Sequence, residues 1–407
     1  MIPHSHCDPG WLESFDGYYN RKVGRILSNV VHELESNRER RFIWAETSFF
    51  MKWYSQQPLA VRDSVADLVS RGQLEFVGSG WVQNDEANPH PEAVIDQVTE
   101  GHEYLLSLFG VRPRYGWQID PFGHSSATPA MFASMGYDAT VINRIHFNIK
   151  RQYKTSKAME FVWRTDSMGT EATGSASLEL FTHVLHTHYS APQGYDYEER
   201  AAKVRDANIH NLANGLVNKL KQRSNAYRTR NLLVPFGDDF KFFNAAVQFN
   251  NMDQLIKYIN ARPDFGIRIQ YSTLSEYFDA VRADAIQDSI KFPVYTHDFF
   301  PYADNRDSFW TGYYATRPTL KAACRSVFAL LRSSEVLFSL ARPHAGALGG
   351  DYQWRSGFRR LEEARLDLAL MLHHDAITGT SRQRVVDDYR SRLSRAADDV
   401  QQVHGDM

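Results

Sequence analysis

Up to about residue 285 the sequence alternates short runs of β-branched and aromatic residues with longer stretches whose apolar positions recur every three or four residues, and no other feature restricts the fold as strongly. Candidate strands are Phe42-Ile43-Trp44, Leu74-Glu75-Phe76-Val77, 115–119, 139–142, 232–235 and 267–271, each followed by a helical pattern. Residues 178–189 alternate as one more strand would, with a polar helix-like stretch at 197–222 behind it. Parallel strands cannot be joined by a hairpin and need crossovers of about a dozen residues or more. The alternation therefore predicts an α/β fold, either a parallel β/α barrel or a doubly wound sheet. Beyond Trp310 the pattern changes. Segments 319–340, 358–372 and 385–403 carry three-and-four spacing with no β-branched runs between them, which predicts a helical bundle. The Pro- and Gly-rich segment 342–350 would join two of its helices.

Composition excludes several classes of function. With 407 residues, 43% hydrophobic and 23% charged, the chain can bury the cores of two or three domains and is not disordered. Its 46 Lys and Arg against 48 Asp and Glu leave a net charge of -2, which is not a surface built for phosphate backbones or anionic lipid, so no nucleic-acid partner is expected. No apolar run reaches the ~18 residues of a membrane span, and the N-terminus lacks the basic-then-apolar pattern of a signal peptide. The chain as given is expected to be soluble and to carry no membrane segment. Cys7 and Cys324 cannot form a disulfide framework and leave the redox compartment open.

Four motifs carry groups with chemical capability. In His4-Ser5-His6-Cys7-Asp8-Pro9-Gly10-Trp11 an extended chain puts His4, His6 and Asp8 on one face, and imidazole nitrogen with carboxylate oxygen suits Zn2+. The same residues also fit a polar strand end with satisfied histidines. Trp117-Gln118-Ile119-Asp120-Pro121-Phe122-Gly123-His124-Ser125 is an apolar strand that delivers Asp120 just before a Pro turn, either to the rim where α/β sites are built or as a helix cap. Pro235-Phe236-Gly237-Asp238-Asp239-Phe240 ends another apolar strand with adjacent acids, whose repulsion can raise one pKa and create a general acid; an ordinary Asp/Gly loop has the same composition. His373-His374-Asp375-Ala376-Ile377-Thr378-Gly379-Thr380 closes a bundle helix, where a His pair also answers the helix dipole. Together the four offer His and Asp ligands plus further acids, more than structural roles call for.

At these residues the chain resembles glycoside hydrolase family 38, the class II α-mannosidases. The likeness rests on the four motifs together with Gly80-Trp81-Val82, Asp85-Glu86-Ala87, Tyr302-Ala303-Asp304 and Trp310-Thr311-Gly312-Tyr313, and it extends over essentially the whole chain. It implies a parallel β/α barrel-like catalytic domain at 1–313 and a three-helix-bundle middle domain at 314–407. It further implies one Zn2+ held by His6, Asp8, Asp120 and His374, with Asp120 also the catalytic nucleophile and Asp239 the general acid and base. Trp11 would stack on the mannose ring, while Phe122, Arg144, Tyr189 and Asp375 would line the subsite. The implied activity is retaining exo-hydrolysis of terminal α-linked mannose, on N-glycans or other α-mannosides, in the Golgi lumen or another secretory compartment. Such enzymes place two carboxylates about 5 to 5.5 Å apart, one to attack the anomeric carbon and one to donate a proton to the leaving oxygen.

The sequence departs from the family's pattern in three places. Cys7 stands where Asn or Asp is usual, and strand alternation points it away from His6 and Asp8. After Tyr189 a Cys- and Trp-containing loop associated with GlcNAc-bearing substrates gives way to Ala191-Pro192-Gln193-Gly194, which argues for broader α-mannoside specificity. Family members continue for several hundred residues into β-rich domains expected to pack on this part, so the chain reads as a piece of a longer enzyme. Two other functions fit parts of the pattern. A metal-dependent deacetylase or amidohydrolase would use the His4-x-His6 pair but leaves the separate Asp120 and Asp239 unexplained; a truncated carbohydrate-binding paralogue would keep the pocket without turnover.

Overall fold

A computed structural model of the chain describes residues 1–78, 80–165, 178–199, 201–344 and 351–406. The strands that position the site are β1 (Ile2–Pro3), β2 (Phe42–Trp44), β3 (Leu74–Phe76), β4 (Tyr115–Gln118), β5 (Ala139–Ile142), β6 (Glu160–Thr165), β7 (Leu178–Val184), β8 (Pro235–Phe236) and β9 (Val294–Tyr295). β4, β5, β7, β6 and β9 form one sheet in that order, parallel except for the β6–β7 pair. β1 pairs with β8 and β2 with β3, both parallel. Single links join these pieces: a parallel bridge between His4 and Ile43, and the Gly78 N–H donating to the Tyr115 carbonyl at 2.6 Å. The result is a mixed α/β arc of mostly parallel strands. A closed ring of ladders, as in the expected barrel, is not present among the described residues.

β2 to β5 fall where the sequence pattern puts them, and burial explains why. Phe42 and Trp44 enter one core while Ile43 enters another with Val77, Trp117, Ile119 and Val141, so the strand is covered on both faces. Two-sided burial is what makes parallel strands read as unbroken apolar runs. Residues 267–271 are not a strand, contrary to their pattern. Asn260 exchanges two side-chain hydrogen bonds with the backbone of Ile269, and the Gln270 carbonyl accepts from the Met1 amine, so the backbone groups are used singly and no ladder forms. β6 has no counterpart in the sequence reading; it lies antiparallel on β7 across the full 160–165 to 178–183 register. The stretch at 197–222 becomes helical only from Ile209, in Ile209–Ser224.

Helices Pro318–Ala341, Asp351–Leu370 and Gln383–Asp406 form the C-terminal part. Leu320, Cys324, Val327 and Leu331 on the first, and Val385, Tyr389, Leu393, Ala396 and Val400 on the last, share one continuous core with Phe15, Phe49 and Phe249 of the α/β part. The joint expected at 342–350 lies outside the described residues from 345 onward; Arg342–His344 is a single turn of 3-10 helix. The last helix also fixes the first motif. The Tyr389 hydroxyl shares its proton between the carbonyls of Pro9 (2.9 Å) and Gly10 (3.0 Å), and a Cβ on Gly10, whose φ is +120°, would meet that hydroxyl at 2.2 Å. Only glycine fits there. No helix among the described residues is long and apolar enough to cross a membrane.

Candidate active site

The C-terminal ends of the parallel strands converge. β1 runs on into His4, His6 and Asp8, β4 into Asp120, β5 into Arg144, and β8 into Asp239, which bridges directly to His6. His374 arrives from the other side, in the turn after Asp351–Leu370, where its N–H donates to the Gln83 carbonyl. His6, Asp8, Asp120 and His374 are buried, and each offers a ligand atom within 4.8 Å of the others. His6 Nε2 lies 2.9 Å from Asp8 Oδ1 and 3.6 Å from Asp120 Oδ2, and His374 Nε2 lies 3.3 and 3.2 Å from the same two oxygens. Ligands at about 2.0 to 2.1 Å from a tetrahedral Zn2+ are separated by roughly 3.3 Å, so these edges fit a cation at the centre. The hydrogen bonding agrees. His374 donates Nδ1–H to the Gln83 carbonyl at 2.8 Å, which turns Nε2 toward the carboxylates, and His6 Nε2, His374 Nε2 and Asp8 Oδ1 are buried without hydrogen-bond partners.

Electrostatics without a cation point the same way. Burial disfavours both imidazolium ions, yet the carboxylates of Asp8 and Asp120 outweigh it, lifting His374 to about 10 and His6 well above its ordinary range. Burial likewise pushes Asp120 upward, but Arg144 and the two histidines hold it well below the usual carboxylate range. Protons therefore occupy the histidines until a cation displaces them. Binding of Zn2+ or Co2+ near pH 7.5 is expected to release about two protons, read by calorimetry in buffers of different ionisation enthalpy. Uptake without proton release would mean that the cation sits elsewhere.

Asp239 is set apart from this cluster. Its Oδ1 accepts from the Tyr189 hydroxyl at 2.8 Å, and burial pushes its carboxyl up to about 6 against the pull of His6. A carboxyl that keeps its proton near neutrality is what a general acid needs. Arg144 donates to Asp120 Oδ1 from Nε at 2.7 Å and from Nη2, and its guanidinium lies 5.1 to 5.7 Å from the rings of Phe122, Tyr302 and Trp310. Phe122 touches Trp310, Tyr313 and His374, so it links the aromatic wall to the cluster. Asp375 stands beside His374: Thr380 donates to its Oδ1 at 2.5 Å, and its Oδ2 is 3.6 Å from His373 Nε2. Asp8, His373, His374 and Asp375 make a second overlapping group of close ligand atoms. Trp11 is half-buried at the edge, its carbonyl accepting from the Arg382 N–H at 3.0 Å.

The spacing offered His4 as a third ligand of the first motif, and the structure turns it elsewhere. Its Nε2–H donates to the Tyr189 carbonyl at 2.9 Å while its ring meets Trp117 edge-on. Cys7 points into the main core, 3.3 Å from Ser5 Oγ. Two buried groups were not anticipated. Gln83 contacts His6 Nδ1 through its side chain (3.3 Å) and His374 through its carbonyl, and it also hydrogen-bonds Glu46, which burial pushes up to about 7. Glu46 ends Phe42-Ile43-Trp44-Ala45, so the strand-then-acid signal that marks Asp120 marks it equally.

Comparison with known proteins gives the lineage. The pattern described as "Glycosyl hydrolases family 38 N-terminal domain" matches residues 1–305, and "Alpha mannosidase middle domain" matches 308–407. Alpha-mannosidase 2x of Mus musculus is 38% identical over 437 residues, covering 99% of this chain and 37% of its own length. Alpha-mannosidase B of Dictyostelium discoideum is 39% identical, covering 97% of this chain and 41% of its own length. A crystal structure of an alpha-mannosidase from Enterococcus faecalis shares the fold, with a TM-score of 0.76 at 19% identity, over 99% of this chain and 41% of that one. The chain thus spans 37% to 41% of the length of these relatives.

Proposed function

The chain belongs to glycosyl hydrolase family 38, and from that membership we propose that it is the bond-cleaving part of a Zn2+-dependent retaining exo-α-mannosidase acting on terminal α-linked mannose of N-glycans. The observation that carries the reading is the convergence of His6, Asp8, Asp120 and His374 on one cation-sized space, with Asp239 on the strand paired to His6. A bound Zn2+ would supply a Lewis acid that orients the sugar through its hydroxyls. Asp120 attacks the anomeric carbon, its carboxylate kept ionised by Arg144. Asp239 gives its proton to the departing oxygen, then takes one from the water that hydrolyses the glycosyl-aspartate. Tyr189 holds Asp239 in place, and Trp11 and Phe122 offer apolar faces to the sugar ring. Asp375 lines the same subsite.

We assign the catalytic part to 1–313 and the three-helix part to 314–407, with β-rich domains of the whole protein packing on both. By family alone we assign it to the Golgi lumen or another secretory compartment; density-gradient fractionation with a cytosolic profile would end that assignment.

The test is a mechanism-based fluorinated α-mannoside followed by peptide mass spectrometry. A glycosyl adduct on the peptide containing Asp120 is expected. Hydrolysis that proceeds with no adduct, and with inversion at the anomeric carbon, would sink the retaining assignment.

A further inference from the structure

Glu86 has no part in the chemistry above, yet its side chain is completely buried and fully engaged. Oε1 accepts from Nδ1–H of His124 (2.8 Å) and Nε2–H of Gln118 (3.2 Å), and Oε2 accepts from the Ser125 N–H (2.9 Å) and the Thr128 hydroxyl (2.5 Å). A carboxylate has about four acceptor positions, and here all four are taken. The donors come from both ends of one loop. Gln118 closes β4, whereas His124, Ser125 and Thr128 lie at the start of the helix Ala127–Ser134, and Asp120-Pro121-Phe122-Gly123 hangs between them.

The residues just before Glu86 reach both sides of the site. The Asn84 carbonyl accepts from Gln118 Nε2 (3.1 Å), the Gln83 side chain accepts from the Ile119 N–H (3.4 Å), the Asp85 N–H donates to the Leu372 carbonyl (2.9 Å), and the Gln83 carbonyl accepts from His374. One stretch, 83–86, is therefore tied both to the loop of Asp120 and to the turn of His374, which belong to distant parts of the chain.

We propose that Glu86 is a positioning residue that fixes the place of Asp120 relative to His374. The inference rests on the reading of Asp120 and His374 as ligands of one cation. Glutamine has the same shape, but its NH2 cannot accept, so in either orientation two of the four donors face another donor. The loop then loses its register while every ligand stays in the chain.

Glu86→Gln and Glu86→Asp in the full chain test this, with Co2+ as the probe, read by its ligand-field absorption, and amide hydrogen exchange on the cation-free protein. Glu86→Gln is expected to weaken Co2+ binding by about 10- to 100-fold, the usual cost of losing a group that orients a ligand, and Glu86→Asp to recover part of it. Exchange is expected to quicken at Ser125 and across 118–128, with 2–8 and 235–240 unchanged. Wild-type Co2+ affinity and spectrum in Glu86→Gln would overturn the proposal, as would exchange that quickens everywhere, which marks a merely structural role. If the unsubstituted chain binds no Co2+, the cation reading itself falls, and exchange decides alone: acceleration confined to 118–128 keeps Glu86 as the residue that positions that loop, and unchanged exchange at Ser125 removes it.

Discussion

Asp120→Asn is expected to remove cation binding and mannoside hydrolysis together, whereas Asp239→Asn slows hydrolysis and leaves cation affinity within about threefold. The distinction follows from geometry. Asp120 Oδ2 is an edge of the His6–His374 cluster, while Asp239 is engaged by Tyr189 outside it. Loss of the attacking carboxylate should lower kcat by about 10^4 or more, and loss of a general acid by about 10^2 to 10^4. The second deficit should shrink on an aryl mannoside with a good leaving group, which departs without a proton, and persist on an alkyl mannoside. The sign of the pH dependence is fixed as well. In the proposed mechanism attack requires Asp239 protonated, and its carboxyl is raised to about 6, so kcat/KM should fall as pH rises through that value, or somewhat below it once a cation adds positive charge nearby. In Asp239→Asn this alkaline fall should vanish. Titration of cation affinity and of kcat/KM against pH in both variants checks the scheme, and loss of cation binding in Asp239→Asn would mean that the two aspartates do not divide the work in this way.

How much of this was legible in the sequence depended on what each residue acts through. Asp120, Asp239 and His374 announce themselves because a strand or helix ends on an ionisable group, and that much is a one-dimensional signal. His4 carries the same signal and is diverted, because a carbonyl at Tyr189, 185 residues away, reaches its ring first. Gln83 carries no signal at all. It works partly through a backbone carbonyl, which every residue has, and its place between His6 and His374 exists only after two distant segments meet. The fold shows the same division. β2 to β5 are covered on both faces and read clearly, whereas 267–271 has strand composition but spends its hydrogen bonds on Asn260 and Met1, and β6 gains its strand character from pairing with β7. Local pattern thus predicts which segments can pair; the partner decides whether they do.

Gly237→Ala is expected to be strongly damaging although it adds a single methyl group, costing about 3 kcal/mol of stability and at least tenfold in cation affinity. A Cβ built on Gly237 falls 2.1 Å from the His4 carbonyl oxygen and 2.8 Å from two atoms of its ring. Neither can step aside. The ring is held by the Tyr189 carbonyl, and the backbone is held by hydrogen bonds from the His4 N–H to the Phe236 carbonyl (3.1 Å) and from the His6 N–H to the Asp238 carbonyl (3.1 Å). Relief requires β1 and β8 to separate, and those two strands carry His6 and Asp239 on facing positions. One methyl group would therefore disturb His6 and Asp239 at once, although Gly237 has no side chain of its own to offer the site. Gly72→Ala is the control. Gly72 has a φ of +67° with nothing within 4 Å of an added Cβ, so it should cost only about 1 kcal/mol through backbone strain and leave cation binding unchanged. Urea unfolding of both variants, with Co2+ titration alongside, separates the two costs. Wild-type stability and affinity in Gly237→Ala would show that β1 and β8 do not pair in this register, and the juxtaposition of His6 with Asp239 would fall with it.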